Sequence, residues 1–114
     1  MALNFRKLRR WTLRFHSRLR KLAYRSAHPT HMHAAIVARG KAVLGYGANS
    51  GFHHAEENAI FSAKRVMGVS LRGSTLYTLM VRRKSGTVGN GSPCEGCMEA
   101  ISREGIKRVI VYVG

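Results

Sequence analysis

The side chains of Phe5, Leu8, Thr12, Phe15, Leu19 and Leu22, all apolar but the threonine, recur at spacings of three and four, with Trp11 beside them. That period predicts an amphipathic helix within residues 1–25, packed on the rest of the chain by its greasy stripe. Pro29 holds its predecessor out of the helical region and ends it. Met32 to Ala38 is short and apolar, as a buried strand is. Arg39-Gly40-Lys41 turns the chain, and Ala42 to Gly47 returns as the second strand of a hairpin. After a loop at Asn49 to His53 the period becomes helical, with Ala55, Ala59, Ile60, Ala63 and Val66 near one face and an end near Gly68. Ser74 to Val81 is rich in strand formers. A basic, glycine-rich connection leads to a second helix over Cys94 to Arg103, closed by Gly105. Val109 to Val113 reads as a last strand.

The predicted order, α-β-β-α-β-α-β, is that of one α/β domain with a mixed central sheet between helical layers. Strand–helix–strand alternation implies parallel pairing in the second half, with right-handed crossovers. The first two strands pair antiparallel. The last strand leaves an open sheet edge, so self-association into a homo-oligomer, or a covering element such as the N-terminal helix, is expected.

Charge adds a second feature. The 114 residues carry 20 Lys+Arg against 5 Asp+Glu, a formal charge of +15. Nine of the basic residues fall within the first 25, and the first acidic residue is Glu56. This favours polyanions or phosphorylated small molecules as partners. The basic face of the first helix is open to three readings: a solvated surface, a phosphate-tracking surface, or a membrane-surface or transit segment. No apolar run reaches 18 residues, so no transmembrane helix is expected. No clean apolar stretch follows the basic start, so a secretory signal is not expected either, and a cytoplasmic location is.

The chemistry sits in two short motifs, His54-Ala55-Glu56 and Pro93-Cys94-Glu95-Gly96-Cys97, each opening a predicted helix. Cys94 and Cys97 lie three apart in a first turn, so both sulfurs point to one side. A helix N-terminus favours the thiolate form. Two thiolates and one imidazole, with a fourth position open, suit a catalytic zinc ion. Glu56, two residues beyond His54, is placed to take a proton from an attacking water and pass it to a leaving group. That equips hydrolytic attack on an amidine-like ring carbon, with loss of ammonia. The Cys-x-x-Cys pair by itself fits a redox pair or a structural zinc site equally well.

Together these residues resemble the zinc-dependent nucleobase deaminases of the cytidine/deoxycytidylate superfamily, whose signature pairs H-x-E with P-C-x-x-C. The likeness extends over residues 26–114. The stretch from His33 to Asn49 resembles the family's first hairpin, and His54 to Ile60 its deoxycytidylate-type zinc helix. Cys94 to Ile101 and Lys107 to Tyr112 resemble its second zinc helix and following strand. The resemblance implies a three-layer α/β/α cytidine-deaminase-like sandwich, short at its C-terminus, with residues 1–25 as an added helix. It implies Zn²⁺ on His54, Cys94 and Cys97, with Glu56 as proton shuttle. It implies that Asn49 bonds the sugar, the Ala55 N–H holds the base carbonyl and the Ser92 carbonyl accepts from the exocyclic amine. Phe52 is placed to stack on the base or to pack locally. Arg82 and Arg83 either reach a phosphate or stand in a solvated turn. The implied reaction converts a cytosine nucleotide or nucleoside to its uracil form. A single-stranded DNA, RNA or tRNA deaminase, and a non-catalytic zinc-stabilised nucleic-acid-binding module, are the alternatives.

Overall fold

A computed structural model describes residues 4–8, 15–50, 53–67 and 70–113. It contains β1 (Asn4–Leu8), α1 (His16–Ala23), β2 (His31–Arg39), β3 (Ala42–Ala48), α2 (Ala55–Met67), β4 (Thr75–Arg82), α3 (Glu95–Arg103) and β5 (Arg108–Tyr112). The five strands form one sheet in the order β1-β5-β4-β2-β3. β2 pairs antiparallel with β3 and with β4, whereas β4–β5 and β5–β1 are parallel.

The side-chain alternation of the strands separates two cores. Ala35 and Val37 of β2 join Leu76, Val109 and Val111 beneath Ala55, Ala59, Ala63 and Ile101 of the α2–α3 layer. Ala34, Ile36 and Ala38 turn to the other face, where Leu79, Val81, Ile110 and Tyr112 pack under Leu19 and Ala23 of α1. The result is the expected three-layer α/β/α sandwich with a mixed sheet. Among the described residues no helix is long and apolar enough to cross a membrane.

The N-terminal expectation is corrected. Residues 4–8 are a strand, Asn4 to Leu8 in parallel register with Arg108 to Tyr112, and the helix begins only at His16. Phe15, with φ of 72°, stands in left-handed backbone at its N-cap and breaks any longer helix. The helical half of the stripe holds: Leu19 is buried, and Phe15 and Leu22 pack against the α1-side core. Trp11 and Thr12 lie outside the described residues. A short Phe5–Leu8 pair fits either period, and the unpaired groups of β5 decide for the strand. The cover over the open edge is therefore β1, and the helix covers a sheet face instead.

What brings α2 close to the sheet is a match of small residues. Ala55, Ala59 and Ala63 repeat every four positions along the helix, opposite Gly45 and Gly47 of β3. A β-carbon at Gly45 would stand 2.6 Å from the Ala59 carbonyl oxygen and 2.7 Å from Ala63 Cα. Glycine alone allows that approach. Glu57 accepts at 3.2 Å from the His54 N–H and so caps the helix start, with Lys64 and Arg65 in the last turn complementing its dipole.

Candidate active site

The starts of α2 and α3 converge over one end of the sheet. Cys94 is the N-cap of α3, in extended backbone, and its sulfur accepts from the Cys97 N–H at 3.4 Å. Cys97 is buried in the turn that follows. Across from them, His54 immediately precedes α2. Its Nδ1 lies 3.1 Å from Cys97 Sγ and 3.6 Å from Cys94 Sγ. All three donor atoms lie within 4.8 Å of one another, and among the described residues they are the one His/Cys/Asp/Glu group so arranged.

This donor set fits zinc. Tetrahedral bonds of about 2.3 Å to sulfur and about 2.0 Å to nitrogen place ligands roughly 3.5 Å apart, close to the spacings observed. One further observation asks for a cation here. Glu56, the second residue of α2, is 1% exposed, and its Oε1 has no hydrogen-bond partner. A buried carboxylate is costly unless an opposite charge is near. The Cys97 thiol is pushed far above its usual range by burial, then by Glu56 and by its hydrogen bond and proximity to Cys94, with Glu57 adding to the same direction. The helix N-terminus alone therefore does not make Cys97 a thiolate, as its position suggested. A cation at the site would supply the missing charge.

Beside the triad lies a cavity of about 500 Å³, lined among others by His28, His33, Asn49, Ser50, His53 and His54. Asn49 is on its wall, but its amide is engaged. Its Oδ1 accepts from the His33 N–H at 2.9 Å and from Ser26 Oγ, and its Nδ2 donates to the His31 carbonyl at 3.0 Å. One Nδ2 hydrogen is left over. Ala55 opens α2, so its N–H is one of the helix-start donors without an intrahelical acceptor. Ser92 is half-buried, two residues before Cys94, with its N–H and Oγ donating to Asn90 Oδ1. Phe52 lies outside the described residues.

The two arginines do not line the cavity. Arg83 donates to the Ser26 carbonyl at 2.7 Å and the His28 carbonyl at 3.0 Å, tying the α1–β2 connection to β4. Arg82 donates to Thr87 Oγ1 and the Val88 carbonyl. A residue that the sequence reading placed only in the first hairpin stands closer to the chemistry. His33 of β2 places Nδ1 3.8 Å from Glu56 Oε1, and its Nε2 lies 2.9 Å from Thr78 Oγ1. Burial lowers the His33 pKa, with Glu56 opposing and His54 adding to the fall, and the Gly91 carbonyl opposing it. The one sequence signal for it is a polar ring inside the apolar Met32–Ala38 run.

A three-layer sandwich whose two helix starts present an imidazole and two thiols beside a buried carboxylate has the architecture of the zinc nucleobase deaminases. The chain belongs to that class through one family: the cytidine and deoxycytidylate deaminase zinc-binding region matches residues 9–113. Among solved structures it is similar to a diaminohydroxyphosphoribosylaminopyrimidine deaminase/5-amino-6-(5-phosphoribosylamino)uracil reductase from Thermotoga maritima. The TM-score is 0.65 at 28% identity, over 85% of this chain and 28% of that one. The chain thus corresponds to little more than a quarter of that protein. It is also similar in fold to the dCMP deaminase of cyanophage S-TIM5, with a TM-score of 0.64 at 24% identity, over 84% of this chain and 79% of that one. The same phage enzyme is known in complex with dCMP and dUMP. No curated protein sequence matches the chain.

Proposed function

We propose that the protein is a zinc-dependent hydrolytic deaminase that converts a cytosine nucleotide or nucleoside to its uracil form. The observation that carries this is the juxtaposition of His54, Cys94 and Cys97 beside a buried, unpartnered Glu56 carboxyl. The membership of the family and the fold shared with a dCMP deaminase support it.

His54, Cys94 and Cys97 would hold the ion, which when bound supplies Lewis acidity and makes water nucleophilic near neutral pH. The remaining work falls to side chains and backbone. Glu56 takes the two protons of the attacking water in turn, delivering one to the ring nitrogen and the other to the departing amine. Water oxygen bonds to the carbon that bears the amine, the carbon–nitrogen bond breaks, ammonia leaves and a carbonyl remains. The Ala55 N–H would hold the base carbonyl and the Ser92 carbonyl would accept from the amine. The spare Asn49 hydrogen would serve the sugar. A volume of about 500 Å³ is within the range of small-ligand sites. Phosphate binding by Arg82 or Arg83 would require each to leave its carbonyl partner, so the reading does not depend on them. A cytoplasmic, self-associating enzyme belongs to the same proposal.

One observation favours a polynucleotide substrate as a second reading. Arg18, Lys21 and Arg25 of the α1 segment line a groove of about 380 Å³ with Leu22, Ile36 and the half-exposed Tyr46. Cations beside an aromatic ring suit a single strand. Zinc-loaded protein incubated with cytidine, CMP, dCMP and single-stranded oligonucleotides separates the readings through ammonia and uracil-form product. Turnover of the monomers is expected. Turnover confined to oligonucleotides, falling steeply with salt, replaces it with the second reading. No turnover with retained nucleic-acid binding leaves a non-catalytic module.

A further inference from the structure

We propose that His33 is the positioning residue for Glu56, an inference that rests on the deaminase reading above. The Thr78 hydroxyl donates to the Gly91 carbonyl at 2.9 Å. A hydroxyl has one hydrogen, so toward His33 its oxygen can only accept. The ring must therefore donate from Nε2, which lies 2.9 Å from that oxygen. With the hydrogen fixed on Nε2, the neutral ring turns a bare lone pair at Nδ1 toward Glu56 Oε1, 3.8 Å away. That separation is too long for a hydrogen bond, yet Oε1 has no other partner.

The arrangement gives the carboxyl a defined acceptor on one side. While Glu56 holds a proton between water and leaving group, its carboxyl closes the remaining gap to the ring, so that Nδ1 receives the O–H of Oε1 and fixes the carboxyl plane. The second oxygen is left for water and substrate. Thr78 is fully buried, so the tautomer is set away from solvent. Gly91 completes the chain of contacts. A β-carbon there would lie 3.1 Å from His33 Nε2 and 2.8 Å from Met80 Cβ, and Cys94 follows three residues later. One line of contacts thus joins the proton-carrying residue to the loop that leads into Cys94.

Two variants divide the ring's atoms. His33→Gln can reach Thr78 as Nε2 does but loses the acceptor facing Glu56. His33→Asn keeps a polar group at the Nδ1 place and loses Thr78. With dCMP and CMP as substrates, His33→Gln is expected to lower kcat about 10–100-fold with KM and zinc content unchanged, and His33→Asn to recover part of it. A wild-type kcat in His33→Gln, or a fall in its zinc content together with its activity, overturns the proposal. Nitrogen NMR of the histidine-labelled, zinc-loaded protein tests the coupling without turnover. The hydrogen is expected on Nε2, and Glu56→Gln is expected to move the Nδ1 resonance while leaving Nε2 in place. A hydrogen on Nδ1, or an Nδ1 resonance indifferent to Glu56→Gln, overturns it. Wild-type protein inactive on every cytosine substrate defeats the deaminase reading instead, and the spectrum then decides the coupling separately.

Discussion

The backbone of Gly47 passes so close to Asn58 that a β-carbon on the glycine would stand 2.6 Å from Asn58 Cβ. Asn58 in turn donates to the Ala48 carbonyl at 2.8 Å, so β3 and α2 are fastened at the turn that carries His54 and Glu56. Gly47→Ala and Gly45→Ala are each expected to push the helix off the sheet and to cost about 1–3 kcal/mol, the range of overpacked cores. Urea unfolding reads the loss. Zinc content should fall with it, because the helix start moves relative to Cys94 and Cys97.

Glu56→Gln keeps the shape of a buried side chain and removes its charge. Deamination is expected to fall about 10²–10⁴-fold while the fold survives. Ammonia release measures the first, and a thermal midpoint no lower than that of the parent measures the second, since a buried carboxylate without a hydrogen-bond partner is lost.

Each intact chain should carry one zinc ion by elemental analysis. Cys97→Ser is expected to abolish it and Cys94→Ser to weaken it strongly, because serine offers no soft anionic sulfur. Chelation of the parent should lower its thermal midpoint and stop deamination, with both restored by added zinc. Zinc uptake should release protons as the thiols ionise, measurable as buffer-dependent heat.

The metal-free protein should weaken in acid. Burial lowers the pKa of His33 and of His16 below the ordinary 6.5, the latter helped by Arg20. Their folded forms stay neutral where the unfolded chain binds protons. Stability is therefore fully present above about pH 6.5 and is lost as pH falls through the lower folded values. Urea midpoints at pH 7.5 and 5.5 should show the drop, and His16→Gln should flatten it.

Much of the site was legible because its motifs are local. His54-Ala55-Glu56 and Cys94 to Cys97 each span a single helical turn, and the hairpin around Gly40 follows from apolar runs and a turn. What could not be read depends on distant partners. Thr78 faces His33 across 45 residues only through the β2–β4 register, and the carbonyls that hold Arg83 lie on a loop more than 50 residues away. The first strand was hidden for the same reason. Phe5 and Leu8 satisfy a helical spacing, and only the far end of the chain supplies the competing partner.

Because Asn4 pairs with Arg108, the sheet joins some of the earliest residues of this sequence to some of the last. A nascent polypeptide leaving the ribosome can assemble the hairpin and the α2 layer early, from contacts near in sequence. Its rim stays unfinished until synthesis has passed Arg108, and that final zipping bears the slow, high-contact-order step of folding.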